Sequence, residues 1–212
     1  MSTILLTGFA PFGGSKSNPS QQIAEHLQGE TLGGVEVVSL TLPVVMSEDW
    51  KRLREAIETY QPFVVLSLGL ASGATCLDVE RFAVNLQIPE SGDPGKPLGP
   101  NLPQSQIVDG GEPALFSTLD TEQIAAEIRT EAGVPARAHG YAGSYACNHI
   151  LYRTLHYAAS QGLSYRAGFI HLPLSSEQVI AENTLHLPSL PLSLMTAGVR
   201  AALNAALSSA RQ

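Results

Sequence analysis

Hydrophobic positions along this chain switch repeatedly between two spacings. Short apolar runs at 3–7, 35–42 and 63–68 are rich in Leu, Ile and Val, and the first and third end at Gly8 and Gly69. Runs of that length closed by a breaker fit buried strands. Residues 77–86, 136–140 and 167–171 carry further strand signals, with 136–140 the least patterned. Apolar residues instead return every three or four positions at 20–27, 47–60, 121–131, 144–160 and 192–208, which predicts helices. The helix at 20–27 follows Asn18-Pro19, and Ser47 and Ser144 stand where a hydroxyl can cap a first turn.

Strands alternating with helices predict an α/β fold with a mostly parallel sheet. Folds of this kind place their sites at the carboxyl ends of strands. The length of 212 residues suits one domain spanning 1–212. Residues 89–103 hold five prolines and three glycines and read as an extended loop, either functional or a surface excursion. Residues 185–194, biased to Leu, Pro and Ser, read as another loop.

Composition narrows the function. Only 15% of residues are charged while 44% are hydrophobic, enough for a large core and for an apolar surface that a partner subunit could cover. Net charge is −7, and the densest basic stretch (Lys51, Arg52, Arg54) is interleaved with Glu48, Asp49 and Glu55. Nucleic acid and anionic membranes need clustered Lys and Arg, so neither is an expected partner. No apolar run approaches the ~18 residues of a bilayer span, and the apolar start at 1–6 is too short for a signal peptide. Two cysteines make no disulfide framework, so a reducing cytoplasmic setting with free thiols is expected.

One cysteine stands in a chemical setting, Gly143-Ser144-Tyr145-Ala146-Cys147-Asn148-His149. With Ser144 as cap, Cys147 is the third residue of the first turn, where unpaired amides and the helix dipole favour a thiolate. Cys147 also heads an apolar stripe through Ile150, Leu151, Leu155, Ala158 and Ala159. The segment therefore has two readings, a small core residue or a nucleophile. Cys76, in a Gly/Ala/Ser stretch without a helix cap or a nearby histidine, reads as structural.

His171 ends the strand Ala167-Gly168-Phe169-Ile170-His171 before Leu172-Pro173, a place for either a site residue or a hydrogen-bonded core histidine. His149 lies too close in sequence to Cys147 to face it, and His26, His139, His156 and His186 occupy element ends or a polar helix face. Glu80 alternates onto one strand face with Phe82 and Val84, and Arg81 points away. A carboxylate there needs a partner, either a histidine ring N–H or a Lys or Arg.

Taken together, four segments resemble the cysteine-type pyroglutamyl peptidases, also called pyrrolidone-carboxylate peptidases. They are Leu6-Thr7-Gly8-Phe9-Ala10-Pro11-Phe12-Gly13-Gly14 with Asn18-Pro19-Ser20, Glu80-Arg81-Phe82-Ala83-Val84-Asn85, Ala142-Gly143-Ser144-Tyr145-Ala146-Cys147-Asn148-His149, and Gly168-Phe169-Ile170-His171-Leu172-Pro173. The resemblance implies an α/β/α sandwich with a twisted, mostly parallel central sheet. It implies a thiol protease, a hydrolase removing N-terminal pyroglutamyl residues from peptides through a thioester. Cys147 is then the nucleophile, His171 the base and acid, and Glu80 the residue that orients His171. Phe9 and Phe12 match aromatics that grip the lactam, and Asn18 matches a polar residue of the opening loop. A cytoplasmic homo-oligomer, often a tetramer, and no metal or organic cofactor are also implied.

The chain departs from the family pattern in two places. Leu70 stands where many members carry glutamine, and Leu86-Gln87-Ile88-Pro89 lacks an arginine thought to polarise the scissile carbonyl, with Gln87 the nearest substitute. A catalytically silent member that binds pyroglutamyl peptides is the alternative. A nucleotide-binding reading of Gly13-Gly14-Ser15-Lys16-Ser17 fails because a phosphate loop needs glycine, lysine and Ser/Thr contiguous, and Ser15 intervenes. No His, Cys and carboxylate group has metal-ligand spacing.

Overall fold

The computed structural model describes residues 3–88 and 105–209, so the loop expected at 89–103 lies outside the described residues. From the amino end run β1 (Thr3–Phe9), α1 (Pro19–His26), β2 (Thr31–Leu32), β3 (Val35–Leu42), α2 (Met46–Tyr60), β4 (Val64–Leu70) and β5 (Leu77–Val84). Then come β6 (Ala114–Phe116), α3 (Thr121–Glu131), β7 (Ala136–Tyr141), α4 (Ala146–Gln161) and β8 (Arg166–Leu172). The last elements are β9 (Leu174–Ser175), α5 (Ser176–Ala181), β10 (Ser189–Leu190) and α6 (Leu192–Ser209). β10 lies within the segment expected to be a loop at 185–194 and pairs with β9, and two residues per strand carry no readable period.

The central sheet has the order β2-β3-β1-β4-β8-β5-β6, with β7 also paired to β5. The pairs β3–β1, β1–β4, β4–β8 and β5–β7 are parallel, whereas β5 runs antiparallel to β8 and β6. Strand residues feed two cores in turn. Ile4 and Leu6, Val64 and Leu66, and Ile170 pack with α1, α3 and α6. Leu5, Val65, Ala167 and Phe169 pack with α2 and α4 on the other face. Covering both faces of the sheet is why these strands read as continuous apolar runs rather than alternating ones. Among the described residues no helix is long and apolar enough to cross a membrane.

Two helix starts differ from expectation. α2 begins at Met46 after Val45 and α4 at Ala146 after Tyr145, and neither cap residue bonds a first-turn amide through its side chain. Ser47 and Ser144 therefore cap nothing. Glu48 and Asp49 complement the positive end of the α2 dipole instead, while the first turn of α4 contains no acid. α1 starts as its sequence suggests, with the Asn18 side chain accepting from the Ser20 amide at 3.0 Å and Pro19 in the first turn.

Candidate active site

β1, β4 and β8 run parallel and end side by side, at Phe9, Leu70 and Leu172. The amino end of α4 arrives above them. Between lies a cavity of about 480 Å³ whose walls include Phe9, Phe12, Leu70, Tyr145, Cys147 and His171. Strand alternation decides which polar groups point in. Ile170 and Leu172 belong to the core beneath α1, α3 and α6, so His171 between them faces α4. In β5 Leu77 and Val79 take that same lower core, and Glu80 is turned toward α4.

Gly143, at φ 78°, makes the turn into α4 in a backbone region that a side chain would strain. The N–H of His149 reaches the Tyr145 carbonyl at 2.9 Å, and the amides of Ala146, Cys147 and Asn148 precede it in the first turn. Cys147 is thus the second helical residue, one place earlier than expected, and still within the turn that favours negative charge. Its sulfur has room because position 69 lacks a side chain. A Cβ on Gly69 would lie 2.8 Å from the Cys147 sulfur and 2.7 Å from the Phe169 ring.

His171 joins the cysteine to the acid. Its Nδ1–H donates to Glu80 Oε1 at 2.6 Å, and Cys147 shares the cavity wall with it, near enough to raise its pKa. Glu80 is 1% exposed. Burial disfavours a charged imidazole here, but the neighbouring Cys147 side chain and the Glu80 carboxylate together outweigh it and raise the His171 pKa to about 10. The arrangement sets a thiol beside an imidazole whose orientation a carboxylate fixes, the parts of an activated cysteine nucleophile.

Several supporting residues were not legible in the sequence. Asn148, fully buried, accepts from the Val84 amide at 2.9 Å and donates to the carbonyls of Val84 and Leu86 at 2.9 and 3.0 Å. It ties the Cys147 turn to the end of the Glu80 strand. His149 points away from the cavity to Asp49 on α2, at 3.2 Å, with both side chains buried. His139, set aside among the element ends, lines the cavity and donates from Nδ1 to Glu80 Oε2 at 3.0 Å. The apolar stripe expected to run through Ala158 and Ala159 fades after Leu155, with Ala158 half-buried and Ala159 exposed, while Asn148, His149 and Thr154 are buried. Each of the three has a specific bond that period alone does not reveal.

The remaining candidates are distributed as follows. Phe9 is buried and Phe12 half-buried on the cavity wall. Asn18 does not line the cavity. Besides capping α1 it donates to the Ala10 carbonyl at 3.3 Å, which braces the loop carrying Phe12. Leu70 lines the cavity and Gln87 does not, its amide donating to Ser105 instead at 3.2 Å. The Ser15 hydroxyl is held by Gln178 and Glu182 near α5 and forms no phosphate cradle. Cys76 donates to Asp78 at 3.4 Å, and burial together with that carboxylate pushes its thiol up.

Comparison with known proteins converges on one group. Residues 2–209 match the family model described as Pyroglutamyl peptidase. A pyrrolidone-carboxylate peptidase of Streptomyces coelicolor is 39% identical over 209 residues, covering 97% of this chain and 92% of the relative. One from Pyrococcus furiosus is 37% identical over 180 residues, covering 84% and 83%. The crystal structure of Bacillus amyloliquefaciens pyroglutamyl peptidase I superposes with a TM-score of 0.87 at 33% identity, covering 98% of both chains.

Proposed function

The chain belongs to the pyroglutamyl peptidase family, and from that premise we propose that it hydrolyses N-terminal pyroglutamyl residues from peptides with Cys147 as nucleophile. The observation that carries this reading is the position of His171, on the cavity wall with Cys147 and bonded to buried Glu80. The lactam of the substrate lies against Phe9 and Phe12, whose rings suit an apolar five-membered ring with a polar edge. The Cys147 thiolate attacks the pyroglutamyl carbonyl carbon and the carbonyl π pair moves to oxygen. Free amides of the first turn of α4 stabilise that oxyanion, an effect worth about 3 kcal/mol per donor in other enzymes. The His171 imidazolium gives its proton to the departing amine as the C–N bond breaks, leaving a thioester. Neutral His171 then takes a proton from water, which attacks the thioester; pyroglutamate leaves and the thiolate–imidazolium pair returns. Glu80 keeps the His171 Nδ1–H in place throughout. Asn18 contributes through the loop it braces.

This reading extends to one peptidase domain over 1–212, a cytoplasmic setting and a homotetramer. Free thiols at Cys76 and Cys147 are consistent with a reducing compartment, and sedimentation equilibrium tests the tetramer. A second reading, a silent binder of pyroglutamyl peptides, draws on Leu70, an apolar residue on the cavity wall. Turnover of a chromogenic pyroglutamyl amide separates the two. Cys147→Ser is expected to lower it by about three orders of magnitude or more. Near wild-type turnover would remove Cys147 from the role, and an inactive wild type that still binds the amide would favour the binder.

A further inference from the structure

We infer that His139 is a positioning residue of the catalytic group, acting through the second oxygen of Glu80. This rests on the peptidase reading above and adds to it a residue that touches neither the substrate carbonyl nor Cys147 in the proposed steps. The register of β5 and β7 sets Asp78 beside Arg137, Glu80 beside His139 and Phe82 beside Tyr141. The side chains follow that register. Arg137 donates to Asp78 at 2.6 Å, His139 donates to Glu80 Oε2 at 3.0 Å, and the Tyr141 and Phe82 rings stack at 6.0 Å. A slip of one residue would undo all three pairs.

Glu80 is therefore held at both oxygens, Oε1 by His171 and Oε2 by His139. A buried carboxylate with one donor is free to turn about its last torsion, whereas two donors on two strands fix its plane. That plane sets the direction of the His171 ring toward Cys147. The groups facing His139 are Asp78 and Glu80 on β5, Arg137 and Tyr141 on its own strand, His171 on β8 and Cys147 at the start of α4. Across the sheet, Arg129 of α3 is occupied by the Ala136 carbonyl. Because Asp78 already has Arg137, the free oxygen of Glu80 is what His139 serves. What matters in this account is the Nδ1–H bond, not a charge on the ring.

Asparagine separates those two possibilities, since its amide nitrogen sits as many bonds from the backbone as histidine Nδ1 and carries no charge. The His139 side chain is 40% exposed, so substitution there is tolerated by the fold and water replaces part of a lost bond. Kinetics with a chromogenic pyroglutamyl amide should show kcat about tenfold lower in His139→Ala, with KM within about twofold, and His139→Asn restored to within about threefold of wild type. Iodoacetamide alkylation of Cys147 should follow the same order, and melting curves confirm that both variants are folded. Unchanged kcat in the alanine variant, with or without a higher KM, overturns the inference, as does an asparagine variant as slow as alanine. Should wild type turn over no pyroglutamyl amide, the peptidase reading fails separately. The alkylation rates then still decide whether His139 positions the Glu80–His171–Cys147 group.

Discussion

Asn148 offers the sharpest test of how this fold holds its cysteine. Its fully buried side chain fills three hydrogen bonds to β5 and the residue after its turn, with the Val84 N–H, the Val84 carbonyl and the Leu86 carbonyl. Truncation to alanine removes all three at once. Each buried group left unpaired costs about 1–3 kcal/mol; the Val84 carbonyl keeps the Leu86 amide, and the half-buried Val84 N–H and Leu86 carbonyl recover part from water, so Asn148→Ala should lose about 3 kcal/mol. Asn148→Asp has nearly the same shape but should be worse. It keeps an acceptor for the Val84 amide while setting a carboxylate oxygen against two carbonyl oxygens. The favourable helix start returns at most about 1 kcal/mol to that negative charge. Urea unfolding at one protein concentration gives the order from the midpoints, provided the m-values agree. Activity should fall as well, by about ten- to a hundredfold in kcat, because the turn carrying Cys147 loses its tether to the Glu80 strand. An alanine variant within about 0.5 kcal/mol of wild type, or an aspartate variant more stable than alanine, would refute the reasoning.

Three further outcomes follow from particular contacts. Gly69→Ala puts a methyl carbon 2.8 Å from the Cys147 sulfur and 2.7 Å from the Phe169 ring, so kcat/KM should drop at least about tenfold while the far-UV spectrum is unchanged; intact kinetics would show that the sulfur can move aside. His171, raised to about 10 from a value near 6.5, stabilises the fold fully below about 6.5 and loses that contribution as pH climbs through 10. The basic limb of kcat/KM should accordingly lie near 10 and move down in Glu80→Gln, and a wild-type limb near 7 would contradict the ion pair. Iodoacetamide at neutral pH should label Cys147 well before Cys76, whose thiol is pushed up by burial and Asp78, and Cys76→Ser should keep turnover within about twofold; peptide mass spectrometry reads the order of labelling.

The strands and helices of four or more residues that the apolar pattern could mark were legible because burial on both faces of the sheet leaves a strong signal. The short members of the sheet were not. β2 and β6 have two and three residues, and β6 pairs with β5 only through Phe82, Ala83 and Val84. Partner strands, rather than local propensity, define such pieces. The antiparallel placement of β5 beside β8 was equally hidden, since period does not encode direction. It matters for the site: it sets Asp78 opposite His171 and lets the Glu80 carboxyl reach the ring.

At the site, legibility divides between residues that break a local rule and residues that keep one. A histidine at the end of an apolar strand and a glutamate in a buried one are conspicuous, because each needs a partner that the local sequence does not supply. Asn148 and His149 hide among the polar residues of α4, and Gly69 resembles any strand-ending glycine. His139 shows why such residues escape. On β7 it belongs to a plain polar alternation of Arg137, His139 and Tyr141, which alone describes a solvent-facing strand. Only the register against Asp78, Glu80 and Phe82 makes that alternation a ladder of matched pairs. The chemistry of this site is therefore set by two scales at once. Local sequence supplies a thiol at a helix start, an imidazole at a strand end and an acid in a buried stretch of strand. The pairing of β5 with strands on both its flanks decides that the acid meets two histidines rather than one.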